Sequence, residues 1–78
     1  MSLGDPDVLL DARELEPPEP LVRTLEALER LGAHEKLLVL LPREPYPLYR
    51  TLELNGFSWQ TECRSDGTVA VLIGHREP

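Results

Sequence analysis

The sequence predicts an α/β (α+β) fold: a two-layer sandwich in which both helices cover one face of a four-stranded mixed sheet. Apolar residues recur with helical spacing between positions 21 and 31. An unbroken apolar run at 37–41 has the length of a strand, and residues 57–63 alternate between apolar and polar. These patterns give the element order strand, helix, strand, helix, strand, strand (βαβαββ).

The first half of the chain predicts a short strand at 8–10 followed by a helix. Prolines at 17, 18 and 20 favour a helix start, because their φ is fixed near the helical value. Proline also lacks the amide proton that would have no partner within the first turn of a helix. Gly32 is expected to end this helix. Its inward face is predicted to carry Leu21, Val22, Leu25, Leu28 and Leu31.

The run at 37–41 lacks alternation, which is typical of a central strand. The proline-rich segment at 42–47 breaks this strand and starts a second helix, which Asn55-Gly56 ends. The residues expected to face inward from that helix are Leu48, Tyr49, Leu52 and Asn55.

The last part of the chain predicts a hairpin. Its first strand alternates from Phe57 to Cys63, its turn contains Asp66-Gly67, and its second strand covers 69–73. Phe57, Trp59, Thr61 and Cys63 are predicted to face the helices. The polar tail at 75–78 is expected to fray.

This order brings two loops to one edge of the sheet. Right-handed crossovers place both helices on the same face and make the first two strands parallel. The loops at 12–17 and 42–46 then emerge side by side, each leading into a helix N-terminus. That edge is the predicted functional site.

Composition argues against several classes of function. A net charge of −6 argues against nucleic acid and against an anionic membrane surface as partners. One cysteine cannot form an internal disulfide, and no segment has signal-peptide or bilayer-spanning length. We therefore expect a cytoplasmic protein with a single domain over residues 1–78 and a core from about 8 to 76.

The segment Leu10-Asp11-Ala12-Arg13, followed by Pro18-Glu19-Pro20, resembles the TusA-like (SirA-like) sulfur-carrier family. In that family a strand ends in Leu-Asp and a Cys-Pro-x-Pro motif opens the first helix. The resemblance implies the fold described above and a cysteine that carries a persulfide to a partner. Here Pro17 stands at the cysteine position, so persulfide chemistry at this position is excluded.

The form without the cysteine resembles a particular branch, domain-of-unknown-function family 2249, through Pro17-Pro18-Glu19-Pro20-Leu21 and a later Arg43-Glu44-Pro45. The resemblance implies a link to sulfur or nitrogen-oxide metabolism. We interpret the chain as a non-enzymatic interaction module that docks a protein partner through the two proline-rich loops. The predicted partner-binding residues are Arg13, Glu16, Pro17, Pro18, Glu19, Arg43, Glu44 and Tyr46.

Three alternatives stay open. Cys63 could relay sulfur, although its predicted inward position favours a buried, inert thiol. Arg13 and Arg43 could hold a small anion or metabolite at the helix N-termini, although pairing with nearby glutamates is favoured. A homodimer could form if the 37–41 run leaves apolar side chains on the helix-free face.

No cofactor or metal is expected. His34 and His75 lack partners at metal-ligand spacing, and both are interpreted as surface residues.

Overall fold

Six elements follow one another in the predicted order βαβαββ. The structure is a computed structural model that describes residues 5–76. Its elements are β1 (Val8–Asp11), α1 (Glu19–Glu29), β2 (Lys36–Leu41), α2 (Tyr46–Leu54), β3 (Phe57–Cys63) and β4 (Val69–His75).

The strands form one mixed sheet in the order β1-β2-β4-β3. β1 and β2 are parallel, and β4 is antiparallel to both β2 and β3. The predicted hairpin is confirmed: Gly67 has a φ of 90°, and the Arg64 amide donates to the Thr68 carbonyl at 2.8 Å. The mixed sheet with two helices confirms the predicted fold class.

The core lies between the sheet and the two helices. Leu37 and Val39 of β2 and Ile73 of β4 are all fully buried on the face that meets the helices. Leu28 of α1 and Leu52 of α2 join the same apolar cluster, so both helices cover one face of the sheet. The other face carries no helix among residues 5–76.

Helix α1 turns a slightly different face inward than the spacing predicted. Val22 is 40% exposed, whereas Thr24 is fully buried and its hydroxyl donates to the Pro20 carbonyl at 2.7 Å. Positions 21, 24, 25 and 28 form the inner row, because three- and four-residue steps bring side chains onto one face. The helix ends at Glu29, before the predicted stop at Gly32.

Two predictions at the ends of elements were wrong. Asn55 is exposed rather than inward, because it caps α2 beyond the last turn that reaches the sheet. His75 does not belong to a frayed tail but is the last residue of β4, paired with Phe57. Its Nε2 donates to the Leu31 carbonyl at 3.2 Å, and its ring packs on Phe57 with centroids 4.7 Å apart. Residues 77 and 78 of that predicted tail lie outside the described residues.

Replacing Leu52 tests the position of the core. Leu52 is fully buried, so Leu52→Ala should lower the free energy of unfolding by about 2–5 kcal/mol through lost burial and a cavity. Leu54 lies on the same helix but is 75% exposed, so Leu54→Ala should change it by less than about 0.5 kcal/mol. Urea denaturation followed by circular dichroism measures both. Equal effects of the two substitutions would contradict the described core.

Candidate functional site: a proline-lined edge

The parallel strands β1 and β2 end at the same edge of the sheet, and a proline-rich loop leaves each of them there. Ala12 continues the ladder by donating its amide to the Leu40 carbonyl at 2.8 Å, and its side chain is fully buried. The two loops therefore run side by side into α1 and α2. We call residues 13–20 and 42–47 the proline-lined edge.

A groove of about 480 Å³ lies between the two loops. Its lining is mainly apolar and includes five prolines and two leucines. The groove is lined by Arg13, Glu14, Leu15, Glu16, Pro17, Pro20, Leu41, Pro42, Arg43, Glu44, Pro45 and Pro47. Five of the eight predicted partner-binding residues are among them, while Pro18, Glu19 and Tyr46 belong to the two adjoining helix starts.

A proline stands at the N-cap position of each helix, where a capping side chain is usually found. Pro18 precedes α1 and Pro45 precedes α2, and neither N-terminus receives a side-chain cap. The first backbone amide of each helix donates to a backbone carbonyl just before it. The Glu19 amide donates to the Glu16 carbonyl at 2.8 Å, and the Tyr46 amide donates to the Glu44 carbonyl at 3.2 Å. The peptide bond between Pro17 and Pro18 is cis.

This arrangement leaves few hydrogen-bond donors for an anion. An anion site at a helix N-terminus depends on free backbone amides aimed at the ligand. Pro20 and Pro47 carry no amide proton, and the amides of Leu48 and Tyr49 both donate to the Pro45 carbonyl. The backbone of the edge therefore favours apolar contact over anion binding.

Arg13 is paired with Asp11. The prediction that it pairs with the glutamates of the edge was wrong. The Arg13 Nε and Nη2 donate to the two Asp11 carboxylate oxygens at 2.9 and 2.8 Å. These hydrogen bonds lower the pKa of Asp11 from 3.8 to about 2 and raise the pKa of Arg13. The pair is local, since the two residues are separated by one position, and it neutralises the positive charge of Arg13.

Glu44 joins the second loop to two tyrosines. Tyr46 donates to Glu44 Oε1 and Tyr49 donates to Oε2, both at 3.2 Å. Thr61 donates to the Tyr49 oxygen at 2.7 Å, because the phenol proton is directed at Glu44. Trp59 stacks on Tyr49 with ring centroids 5.4 Å apart. These contacts tie the loop to β3.

The two tyrosines differ in exposure but not in protonation state. Tyr46 is 69% exposed, whereas Tyr49 packs against the core. The hydrogen bond to Glu44 raises the pKa of Tyr46, and burial raises that of Tyr49. Both phenols therefore stay protonated at neutral pH, where neither can act as a base.

The thiol of Cys63 is exposed, so the predicted burial was wrong. Cys63 is the last residue of the edge strand β3 and pairs with Val69, which pairs in turn with Leu41. The thiol thus lies at the same edge of the sheet as the proline-rich loops.

Residues 5–76 contain no cluster of three or more His, Cys, Asp or Glu side chains that could hold a metal ion. Of the two histidines, His34 is exposed and His75 is half-buried against Phe57. Within the same residues, no helix combines the length and the apolar character needed to cross a bilayer.

Sequence reasoning missed two features of this site. Asp11 was not recognised as the partner of Arg13, although Asp-x-Arg at a strand end allows such a local pair. Leu15 and Leu41 were not expected to line a groove, and only the folded juxtaposition of the loops reveals it.

The fold is that of the TusA-like (SirA-like) class. A SirA-like protein from Desulfitobacterium hafniense has a crystal structure that matches this chain with a TM-score of 0.78. The two sequences are 26% identical, and the match covers 90% of this chain and 99% of that one.

Residues 9–75 match the model of DUF2249, described as an uncharacterized conserved protein. The chain belongs to this family. Both resemblances stated from the sequence are thereby confirmed. No curated protein matches the chain.

The Asp11–Arg13 pair predicts how the Asp11 carboxylate titrates with pH. Because the folded-state pKa of Asp11 is about 2, below its ordinary 3.8, the pair favours the fold above pH 4 and is lost as pH falls towards 2. A carboxyl ¹³C NMR titration should place the Asp11 midpoint near 2, and Arg13→Ala should return it towards 3.8. Arg43→Ala, the matched control, should leave it unchanged. An unshifted midpoint in the wild-type chain would contradict the pair.

Proposed function

We propose that the proline-lined edge docks a segment of a protein partner and that this module performs no chemistry of its own there. The observation that supports this proposal is the groove between the two helix starts. Its apolar lining is open to solvent, and its walls come from two separate loops. Apolar grooves with a few polar groups at the rim are typical of binding sites.

The prolines make the groove suitable for docking. Each proline restricts the unbound loop, so less conformational freedom is lost when a partner binds. Glu44 adds to this stiffness through its bonds to Tyr46 and Tyr49. Tyr46 is itself exposed and stands at the start of α2, where it can serve as an aromatic anchor.

The charges at the rim specify the chemistry of the partner. Glu14, Glu16 and Glu44 line the groove, and Arg43 is the remaining arginine there once Asp11 has neutralised Arg13. The rim is therefore acidic. The complementary partner is a segment that inserts an apolar side chain and presents Lys or Arg on either side.

Pro17 supports a role without catalysis. Proline has neither a nucleophile nor an amide proton, so the position that carries sulfur in the resembling family can only make contacts here. A link to sulfur or nitrogen-oxide metabolism follows from that resemblance and belongs to the proposal.

Affinity capture with matched variants tests docking. The tagged chain is incubated with lysate of its native host, and bound proteins are quantified by mass spectrometry. A partner that uses the edge should lose about tenfold or more in affinity with Glu14→Lys/Glu16→Lys, because two attractive contacts become repulsive. Tyr46→Ala should weaken the same partner by loss of its anchor.

Controls on α2 separate docking from general charge and apolar effects. Glu53→Lys and Leu54→Ala change exposed residues outside the groove and should retain the partner. Binding that is unaffected by the edge variants, or lost equally with the controls, would contradict the proposal. So would the absence of any specifically retained protein.

A second candidate function is sulfur relay through Cys63, and the exposure of this thiol at the same edge favours it. In this reaction the Cys63 thiolate attacks the terminal sulfur of a donor persulfide. A new S–S bond forms on Cys63, the donor S–S bond breaks, and the donor leaves as a thiolate. The acceptor thiol would then have to approach the proline-lined edge.

Incubation with a cysteine desulfurase and cysteine tests this relay. Intact-mass spectrometry should show the gain of one sulfur atom, which Cys63→Ser abolishes and which reductant reverses. Iodoacetamide should alkylate Cys63 in the folded protein, which checks that the thiol is accessible. Rapid alkylation without any sulfur gain would exclude the relay and leave the docking proposal intact.

A further inference from the structure

The face of the sheet opposite the helices has a regular arrangement of side chains. The pairing register places these residues in three rows across β2, β4 and β3. The first row is Lys36, Gly74 and Ser58; the second is Leu38, Leu72 and Gln60; the third is Leu40, Ala70 and Glu62. The parallel register with β1 adds Leu9 to the second row and Asp11 to the third. We call all these residues the open face.

The second row forms an apolar band across the strands. Leu9 pairs with Leu38, which pairs with Leu72, so three leucines lie side by side. Leu9 is 60% exposed, and Leu38 and Leu72 are half-buried. A continuous row of leucines on a sheet face that no helix covers is typical of a surface that packs against another sheet.

Lys36 lies flat at one end of this band. It is the single lysine of the chain, and its side chain extends across Gly74 of the neighbouring strand. A Cβ placed on Gly74 would be 2.7 Å from the Lys36 ammonium nitrogen, so the lysine chain lies directly against the backbone of Gly74 and a side chain there would displace it. The ion pairs among residues 5–76 join Arg13 to Asp11 and Arg23 to Glu19, so the Lys36 ammonium takes part in neither.

Glu62 lies at the other end of the band. It is four residues from Ser58 along β3, so the first and third rows are about 13 Å apart. Two other carboxylates near these rows already have partners: Asp7 accepts from the Lys36 amide, and Asp11 is paired with Arg13. The Lys36 ammonium at one end of the apolar band and the Glu62 carboxylate at the other belong to neither ion pair of residues 5–76.

We propose that a second copy of this chain packs on the open face about a two-fold axis that runs along the leucine row. This axis places the leucines of one copy on those of the other and the first row of each copy on the third row of its partner. The Lys36 ammonium, which lies over β4, then faces the region of Ala70 and Glu62 in the second copy. Two equivalent Lys36–Glu62 pairs form, which is the self-complementarity that a two-fold interface requires.

The size of the face sets the strength of this contact. Four strands spaced about 4.8 Å apart and four to seven residues long span roughly 400 Å², about half of what each partner contributes to a standard stable interface. The dimer is therefore weak and concentration-dependent, and it leaves the proline-lined edge of each copy free.

Charge exchange tests the proposed pairing directly. Sedimentation velocity of the full chain across a concentration series should show a reversible monomer–dimer equilibrium. Lys36→Glu and Glu62→Lys should each weaken self-association by roughly tenfold or more, because both symmetry-related pairs become repulsive. An equimolar mixture of the two variants should restore dimers, since both pairs are then attractive. Arg50→Glu and Glu53→Lys, on exposed positions of α2, should leave self-association unchanged.

Carbodiimide cross-linking supplies a second readout. It joins an amine to a carboxylate without a spacer, and the 13 Å between the rows prevents a Lys36–Glu62 link within one chain. A mixture of ¹⁴N- and ¹⁵N-labelled protein should therefore give this peptide pair with mixed labels. A chain that stays monomeric at all concentrations, or variants whose mixture does not recover dimers, would overturn the proposal.

Discussion

The constraint on which the rest of the structure depends is the fixed φ of the prolines where β1 and β2 pass into their helices. Pro17 and Pro18 precede α1, and Pro45 precedes α2. Because the two strands are parallel and adjacent, both constrained segments leave the sheet in the same direction. The groove between them is thus a direct result of where prolines follow the two parallel strands.

The same prolines determine what kind of ligand the groove suits. They take away amide protons that an anion would need, and they place flat apolar rings along the walls. Asp11 neutralises Arg13, so the glutamates dominate the charge of the rim. A surface of this kind fits contact with a protein segment. Cys63 lies at the same edge but on β3, so a relay through it would use different atoms from the docking contacts.

The sequence was sufficient for the fold because the signals there are local or periodic. The apolar run at 37–41, the alternation from Phe57 and the turn at Gly67 each identify an element without knowledge of its neighbours. Predicting the site required information about how the layers pack, which the periodicity of the sequence does not contain. Alternation assigned Cys63 to the helix side, but only the packed layers show that the covered area ends before this position. His75 likewise joined β4 because β3 extends far enough for Phe57 to pair with it.

Docking at the proline-lined edge depends on this edge being ordered already in the free protein. Backbone ¹⁵N relaxation of the non-proline residues at the edge, including Glu16, Arg43 and Tyr46, tests this claim most directly. A preformed groove predicts order parameters near those of the sheet, about 0.85. Values below about 0.6 at these amides, with the sheet remaining rigid, would show that the edge is mobile and would contradict the account.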